Sequence, residues 1–396
     1  MEKISILQIT QSLGGGVQKY VIQLCEHLDP NRFRIIGCCS MGPGRENRED
    51  GDIPFSEAFQ QIGIPYFIVP MQRSINPLKD FLSFLLIYKN IKKKNFDIVH
   101  AHSSKAGVLA RIAARMAGVP VIIYSPHAFS FDGPKHILKK IPFILFEKIA
   151  AFFCDSIITD SPTEKKLALK FKIAREEKIS VIPTSIKLND YNPEIDEEER
   201  KEYLKILGIP KEHKIVTMIG RLSPQKDPIT FILSSQRLKK QYQKVTFLLV
   251  GDGPLKEKCC KLLQEVELNG QMKVLGWRRD YKNILKISDL LVSSSLWEGL
   301  PFILLEAMAF SKPVVATRST GIVDVINDGE NGFLVPPRSP KILSDKIKWV
   351  LDRPEVATKV GKAAKKTVEE KFNLRKTIPQ IEELYIQLYK NKIKNA

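Results

Sequence analysis

Ser293 to Thr317 reads SSSLWEGLPFILLEAMAFSKPVVAT, and this stretch decides the fold. The apolar run Leu290-Leu291-Val292 before it has the form of a strand end. Gly299 and Pro301 punctuate a loop, and Pro301 suits the first position of a helix, where its missing N–H has no partner to lose. The spacing predicts a helix over Phe302–Phe310, stopped by Ser311-Lys312-Pro313, and a strand from Val314. Strand, loop, helix and strand make one βαβ unit. Its loop lies at the carboxyl end of the first strand, where open parallel sheets take up ligands.

Two carboxylates stand in this unit, Glu298 in the loop and Glu306 in the helix, with seven residues between them. Leu304-Leu305 and Ala307-Met308 flank Glu306. A polar group buried there without a partner costs about 2–7 kcal/mol, and more when charged, so Glu306 needs hydrogen-bond donors. Two sources are open: a structural pairing inside the protein, or a ligand diol such as a ribose. Glu298 stands beside a helix N-terminus whose free N–H groups favour phosphate. A nucleotide-sugar satisfies all three features, although two glutamates at this spacing do not by themselves require one.

Outward from this unit the same alternation fills the chain. Strands are predicted at Ile4–Ile9, Phe33–Cys39, Tyr66–Val69, Ile98–Ala101, Val121–Tyr124, Ser156–Thr159 and Val181–Pro183. Helical stretches lie around 78–95, 104–117, 136–153 and 162–174. The helix after the first strand carries Val17, Tyr20, Val21, Leu24 and Leu28 at the 3.6-residue period. Lys187 to Lys214 is polar and includes Asp196-Glu197-Glu198-Glu199-Arg200-Lys201, as expected of a linker and a surface helix. A second half follows with strands at Ile215–Ile219, Thr246–Val250, Met272–Leu275, Leu290–Ser293, Val314–Ala316 and Gly332–Val335, and a last helix at about Leu374–Lys390. The pattern predicts an α/β protein of two open parallel sheets.

The pattern S-x-x-x-E-G-x-P-x-x-x-x-E-A-M-A, from Ser294 to Ala309, resembles retaining glycosyltransferases of family 4, above all those of bacterial cell-surface polysaccharide synthesis. The resemblance spans nearly the whole chain and is strongest over 215–335. It implies the GT-B fold, two Rossmann-like domains facing across a cleft. Residues 1–187 would form the acceptor domain, 188–372 the nucleotide-sugar donor domain, and 373–396 a helix packing back on the first. It implies transfer of a sugar from a nucleotide-diphosphate sugar, by preference a UDP-sugar, to a hydroxyl of a glycan or polyprenyl-diphosphate-linked acceptor.

Several motifs carry the resemblance residue by residue. Gly14-Gly15-Gly16 after the first strand allow close backbone approach to a phosphate or sugar. They are no dinucleotide fingerprint, since Lys19 stands where a third glycine is needed and Cys38-Cys39-Ser40 replace an acid after the second strand. Gly220-Arg221-Leu222-Ser223-Pro224-Gln225-Lys226 supplies a guanidinium fork and an ammonium five residues on, suited either to a leaving diphosphate or to a solvated loop. The resemblance implies the diphosphate. Donor contacts are implied for Gly251 and Gly253, for Trp277 and Arg278 through their backbone, and for Gly299, Leu300 and Pro301. It gives Glu306 the ribose and Glu298 the sugar hydroxyls. His127, in Tyr124-Ser125-Pro126-His127, can be structural or catalytic, and the resemblance faces it to the donor sugar. His100 and His102 are acceptor-side candidates, with a structural role favoured. The implied catalytic set is His127, Glu298, Arg221 and Lys226. Two motifs depart from the family pattern: Thr320 replaces the first of two glycines before Ile322, and Pro183-Thr184-Ser185-Ile186-Lys187 replaces a Pro-Asn-Gly junction.

Composition sets the bounds. The 396 residues are 43% hydrophobic and 27% charged, with a net charge of +18, which suits a soluble globular chain drawn to phosphates, nucleic acids or anionic membranes. The six cysteines form no C-x-x-C and suggest reduced thiols in a cytoplasm. No signal peptide and no apolar run of about 18 residues is expected. Asp50-Gly51-Asp52 has a metal-binding form but lies in a polar run, so no metal and no other cofactor is expected, the cations and a helix N-terminus serving the diphosphate. The helix at 78–95 is expected to pack Phe81–Leu86 on the sheet. Its Lys89, Lys92, Lys93 and Lys94, with Arg111 and Arg115 of the next helix, suggest a peripheral seat on the anionic inner face of the cell membrane. A nucleotide-sugar epimerase of the same fold and a basic nucleic-acid-binding protein are the alternatives. The latter predicts clustered cations with stacking aromatics, whereas Lys and Arg are spread through both halves, so no nucleic acid is expected.

Overall fold

The structure is a computed structural model that describes residues 2–394 apart from 12–14, 41–52, 73, 75, 134–135 and 269. Gly14, Asp50 and Asp52 therefore lie outside the described residues. The described residues divide into two units, one of residues up to 184 together with 375–394, the other of residues 185–374.

The first unit contains β1 (Ile4–Thr10), α1 (Gly15–His27), β2 (Phe33–Cys39), α2 (Phe55–Gln61), β3 (Tyr66–Ile68), α3 (Pro77–Lys94), β4 (Ile98–His102), α4 (Ser104–Ala117), β5 (Val121–Ser125), α5 (Ile137–Ala151), β6 (Ser156–Thr159), α6 (Pro162–Lys170) and β7 (Ile179–Val181). Its strands form one sheet in the order β3-β2-β1-β4-β5-β6-β7, and the described pairings are parallel. The last strand begins two residues before its predicted place, because Ile179 pairs with Ile157, and Pro183 has no N–H to extend a ladder.

The second unit contains α7 (Glu197–Ile206), β8 (Lys214–Ile219), α8 (Pro228–Lys239), β9 (Val245–Val250), α9 (Lys256–Glu265), β10 (Met272–Gly276), α10 (Tyr281–Ile287), β11 (Leu290–Ser293), α11 (Phe302–Ala309), β12 (Val314–Thr317), β13 (Phe333–Val335), α12 (Pro340–Leu351) and α13 (Pro354–Lys371). Its parallel sheet runs β10-β9-β8-β11-β12-β13. Strand order reverses between β1 and β4 in one unit and between β8 and β11 in the other. Ligands of doubly wound sheets bind at such points. Both units are Rossmann-like.

A last helix, α14 (Leu374–Lys394), packs its polar and aromatic side chains on the first sheet. Tyr385 is fully buried with its ring against Phe33, Glu382 accepts from the backbone N–H of Asp29 and pairs with Arg32, and Tyr389 donates to Asp97.

Two expectations for the basic face need correction. Helix α3 buries Ser83, Ile87 and Ile91, and leaves Phe81, Leu82 and Leu86 exposed. The periodicity identified a shared face but not whether anything covers it. Arg111 is not a surface cation. It is wholly buried, 2.7 Å from Glu147 Oε2 and stacked on the Tyr124 ring, whose hydroxyl donates to Glu147 Oε1. Arg115 pairs with Asp155, whereas Lys89, Lys92, Lys93 and Lys94 are exposed.

Candidate active site

In the second unit, the loops after β8 and β11 meet at the switch point. They are tied together by hydrogen bonds: Leu296 N donates to Gln225 O at 2.7 Å, Gln225 Nε2 to Trp297 O at 2.9 Å, and Ser294 Oγ to the carbonyls of Lys226 and Asp227 at 2.9 and 2.8 Å. Asp227, left-handed with φ +47°, caps α8 through Thr230, and Pro228 opens that helix. This cross-bracing holds the Lys226 ammonium 2.5 Å from Glu298 Oε1, with Gln225 Nε2 reaching Oε2 at 3.4 Å. Glu298 is 6% exposed, so its charge is buried and balanced by a lysine. Arg221 is half-buried in the same loop as Lys226. Sequence reasoning named Glu298 and Lys226 separately and missed both their pairing and Gln225.

Two glycines explain how the loops come so close. A Cβ on Gly251, at φ +133°, would lie 2.0 Å from Gly220 O, so the turns after β9 and β8 touch backbone to backbone. A Cβ on Gly321, at φ +74°, would lie 1.8 Å from Gly299 O. The close approach near Glu298 is thus made by Gly321, and Thr320 does not obstruct it. Gly253 packs against the backbone of Leu222 in the same manner.

Glu306 is buried in α11, and the protein provides its donors. Tyr191, from the segment between β7 and α7, and Tyr281, at the start of α10, each donate to Oε1 at 3.0 Å. Burial, and then the charge of Glu306, push the Tyr191 phenol well above its ordinary range, so it remains a donor. The cost of burying Glu306 is therefore offset inside the unit. Both tyrosines went unread in the sequence, because nothing local ties them to a helix 115 and 25 residues away. Pro301 is the N-cap of α11, with φ −76° and ψ 119°, one position before that expected. Leu300 is buried beside it. Arg278 is committed to Asp280 at 2.6 and 2.7 Å, while Trp277 is half-buried after β10.

In the first unit the three histidines join one buried chain. His127 Nδ1 lies 3.0 Å from Asp160 Oδ2, and its Nε2 lies 3.1 Å from His102 Nδ1. His102 Nε2 reaches Gln8 Oε1 at 2.8 Å, and Gln8 Nε2 donates to Tyr385 Oη at 3.1 Å. Tyr385 Oη is 2.6 Å from His100 Nδ1, whose other nitrogen meets Ser125 Oγ at 2.8 Å. Burial, then the neighbouring imidazoles, depress both His100 and His102 well below the usual histidine range, so both stay neutral. A neutral His102 has one N–H. Directed at the Gln8 carbonyl, it leaves Nδ1 to accept from His127 Nε2, while His127 Nδ1 meets Asp160. The histidine most exposed to reaction chemistry in the sequence reading thus has both ring nitrogens engaged within its own unit. His127 and Ala128 adopt φ of +52° and +86°, the Tyr20 ring packs tilted by 60° against the imidazole with centroids 4.5 Å apart, and Glu164 Oε1 accepts the Ala128 N–H. Non-glycine residues held there cost about 1–3 kcal/mol each, so this turn is strained. Gly15 and Gly16 open α1 at an exposed end. Among the described residues no cluster of three or more His, Cys, Asp or Glu is placed to hold a metal ion.

Residues 14–190 match the family model described as Glycosyltransferase Family 4, and residues 199–367 match Glycosyl transferases group 1. The chain is 33% identical over 393 residues, 98% of each chain, to the UDP-Gal:alpha-D-GlcNAc-diphosphoundecaprenol alpha-1,3-galactosyltransferase of Escherichia coli. It is 28% identical over 350 residues, 86% of this chain and 90% of the other, to the N,N'-diacetylbacillosaminyl-diphospho-undecaprenol alpha-1,3-N-acetylgalactosaminyltransferase of Campylobacter jejuni. In fold it is similar to HepE of Anabaena, solved in complex with UDP-glucose, with a TM-score of 0.81 at 21% identity over 97% of this chain and all of that one.

Proposed function

The chain belongs to glycosyltransferase family 4, and from that premise we propose a retaining, metal-independent transfer of a hexose from a UDP-sugar to a polyprenyl-diphosphate-linked glycan in bacterial polysaccharide synthesis. The observation that carries the reading is the Lys226–Glu298 pair, held at the switch point of the second sheet by braced loops. It sets a cation where a leaving diphosphate gathers charge, and a carboxylate beside it for sugar hydroxyls. Arg221 adds its fork to the same diphosphate, and Glu306 meets the ribose with its carboxylate fixed by two phenols. Support for the acceptor class comes from the two bacterial relatives, both named for undecaprenyl-diphosphate-linked acceptors.

Retention follows a same-face course. The bond from C1 to the β-phosphate oxygen breaks, the acceptor oxygen bonds C1 on that face, and the acceptor proton passes to the leaving phosphate. Lys226 and Arg221 stabilise the charge that develops there, a kind of contribution worth about 2.7–4 kcal/mol per donor in other enzymes. The enzyme works at the cytoplasmic face of the membrane, drawn there by the exposed Lys92, Lys93 and Lys94.

The test incubates the purified protein with a panel of UDP-sugars and polyprenyl-diphosphate glycans in EDTA and reads the anomeric configuration of the product by NMR. An α-linked product from an α-linked donor, formed without added metal, is expected. An inverted product, or strict dependence on Mn²⁺, overturns the reading.

A further inference from the structure

We propose that α5, together with the first half of α3, is a membrane-seating face that inserts apolar side chains into an anionic bilayer. The outward side of α5 carries Ile137, Leu138, Ile141, Leu145, Phe146 and Ile149, and Phe152 follows directly after the helix. All seven are exposed, Leu138 by 66% and Phe152 by 81%. Ile141, Leu145 and Ile149 recur at four-residue spacing, which stacks them along one stripe. The one acid of this helix, Glu147, points inward.

The rotation of α5 is fixed. Glu147 is held by buried Arg111 of α4 and by the Tyr124 hydroxyl of β5, while Ile144, Ala150 and Ala151 complete the inner side. Turning α5 to hide its apolar side would break a buried ion pair. Helix α4 packs against both α3 and α5, so the two outer helices flank it on one face of the first sheet. On α3, Leu78, Phe81, Leu82 and Leu86 are exposed in the first half, and Lys89, Lys92, Lys93 and Lys94 in the second. Two outer helices therefore present apolar side chains rimmed by cations.

The occupant is a bilayer carrying anionic lipid, chosen by charge. Lys139 and Lys148 border the α5 stripe, and the α3 lysines lie at the far end of the neighbouring stripe, suiting an acidic surface with an apolar interior. A second copy of the chain would bring the same cations face to face. No helix among the described residues is long and apolar enough to cross a membrane, so α5 lies in the interface plane. This seat differs from attraction by Lys92–Lys94 alone, because insertion survives salt that screens charges. It rests on the proposed function only for the acceptor it would bring within reach, and vesicle binding is measured without substrate.

The experiment is flotation of the full chain with phosphatidylcholine vesicles, with and without phosphatidylglycerol, at low and high salt. The wild type is expected to float with the anionic vesicles and to keep a fraction bound at high salt. Leu145→Glu with Ile149→Glu is expected to lower the salt-resistant fraction about tenfold or more, charged side chains being strongly disfavoured in the apolar layer. Unchanged thermal unfolding and unchanged turnover on a water-soluble acceptor show that these exposed substitutions leave the fold and the active site intact. Lys92, Lys93 and Lys94→Gln is expected to remove the salt-sensitive part and leave the other. Absence of any salt-resistant binding overturns the proposal. So does a lipid-free dimer in sedimentation velocity that the glutamate variant dissociates. Loss of flotation with turnover retained bears on the seat alone, and loss of turnover with flotation retained bears on the reaction alone.

Discussion

Lys226 Nζ stands 2.5 Å from Glu298 Oε1, and Glu298 is almost fully buried. In the free enzyme each charge answers the other. On the proposed reading, a donor diphosphate would share Lys226 with the carboxylate, and one side chain would couple sugar recognition to leaving-group stabilisation. Lys226→Ala and Arg221→Ala should each lower kcat/KM by about two to three orders of magnitude, about 2.7–4 kcal/mol. Lys226→Ala also strands a buried carboxylate and should lower Tm. Adding Glu298→Gln should restore Tm but not transfer. If the double variant regains transfer, Lys226 only neutralises Glu298. Near-wild-type kinetics in both single variants would remove the donor site.

Glu306 receives two phenols on one oxygen, an anchored carboxylate rather than a mobile one. A ribose contact exists in ground and transition states alike, so its loss acts mainly on binding. Glu306→Gln should raise KM for the UDP-sugar roughly ten- to a hundredfold, by the about 1.5–3 kcal/mol of a hydrogen bond to a charged group, with a smaller change in kcat. Glu298→Gln should do the reverse, lowering kcat at similar KM. A Glu306→Gln variant with lower Tm and an unchanged KM would reduce Glu306 to a structural partner of Tyr191 and Tyr281.

What the sequence revealed and what it hid follow one physical line. The alternation of apolar runs with helical periods specified both sheets, because buried parallel strands and amphipathic helices leave local patterns. Glu298 stood out by its place in the loop after a strand, Glu306 by its apolar neighbours in a helix, and Lys226 through the resemblance. Their partners did not, since Lys226 and Glu298 are brought together across 72 residues and Tyr191 and Glu306 across 115. Arginine is usually a surface cation, and for Arg111, Glu147 on the adjacent helix and the Tyr124 ring reverse that. Phe81 and Leu82 were read as core because periodicity does not say which side of a helix the protein leaves open.

Gly321 carries a prediction about the loop that holds Glu298. Alanine there must tolerate φ +74° and a Cβ 1.8 Å from Gly299 O and 3.0 Å from Glu298 O. The backbone conformation alone costs about 1–3 kcal/mol, and the collision moves the Glu298 loop. Gly321→Ala should lower Tm and reduce kcat/KM together. Gly329→Ala, also at positive φ but with open space around its Cβ, should lower Tm without affecting donor kinetics. Equal kinetic losses in both variants would detach Gly321 from the site.

The last prediction concerns pH. Glu164 follows Asp160 by four residues and accepts the backbone N–H groups of Ala128 and Asp160 at 2.8 Å each, so it holds the strained His127 turn. Burial, and then the charge of Asp160, push its carboxyl up to about 8 from 4.5. A carboxyl with a raised folded pKa binds its proton more tightly in the native state than in the unfolded chain. Its contribution is fully present below about pH 4.5, falls as pH rises, and is lost by about pH 8. Other groups titrate in this window, so the comparison is with Glu164→Gln, which retains an acceptor and has no charge to bury. Urea unfolding between pH 5 and pH 8.5 should show the wild type losing stability relative to Glu164→Gln as pH rises. If Asp160 instead bears the shared proton, the two proteins will run parallel and Asp160→Asn will remove the slope. Parallel curves for all three would mean that neither carboxylate at this turn takes up a proton in this range.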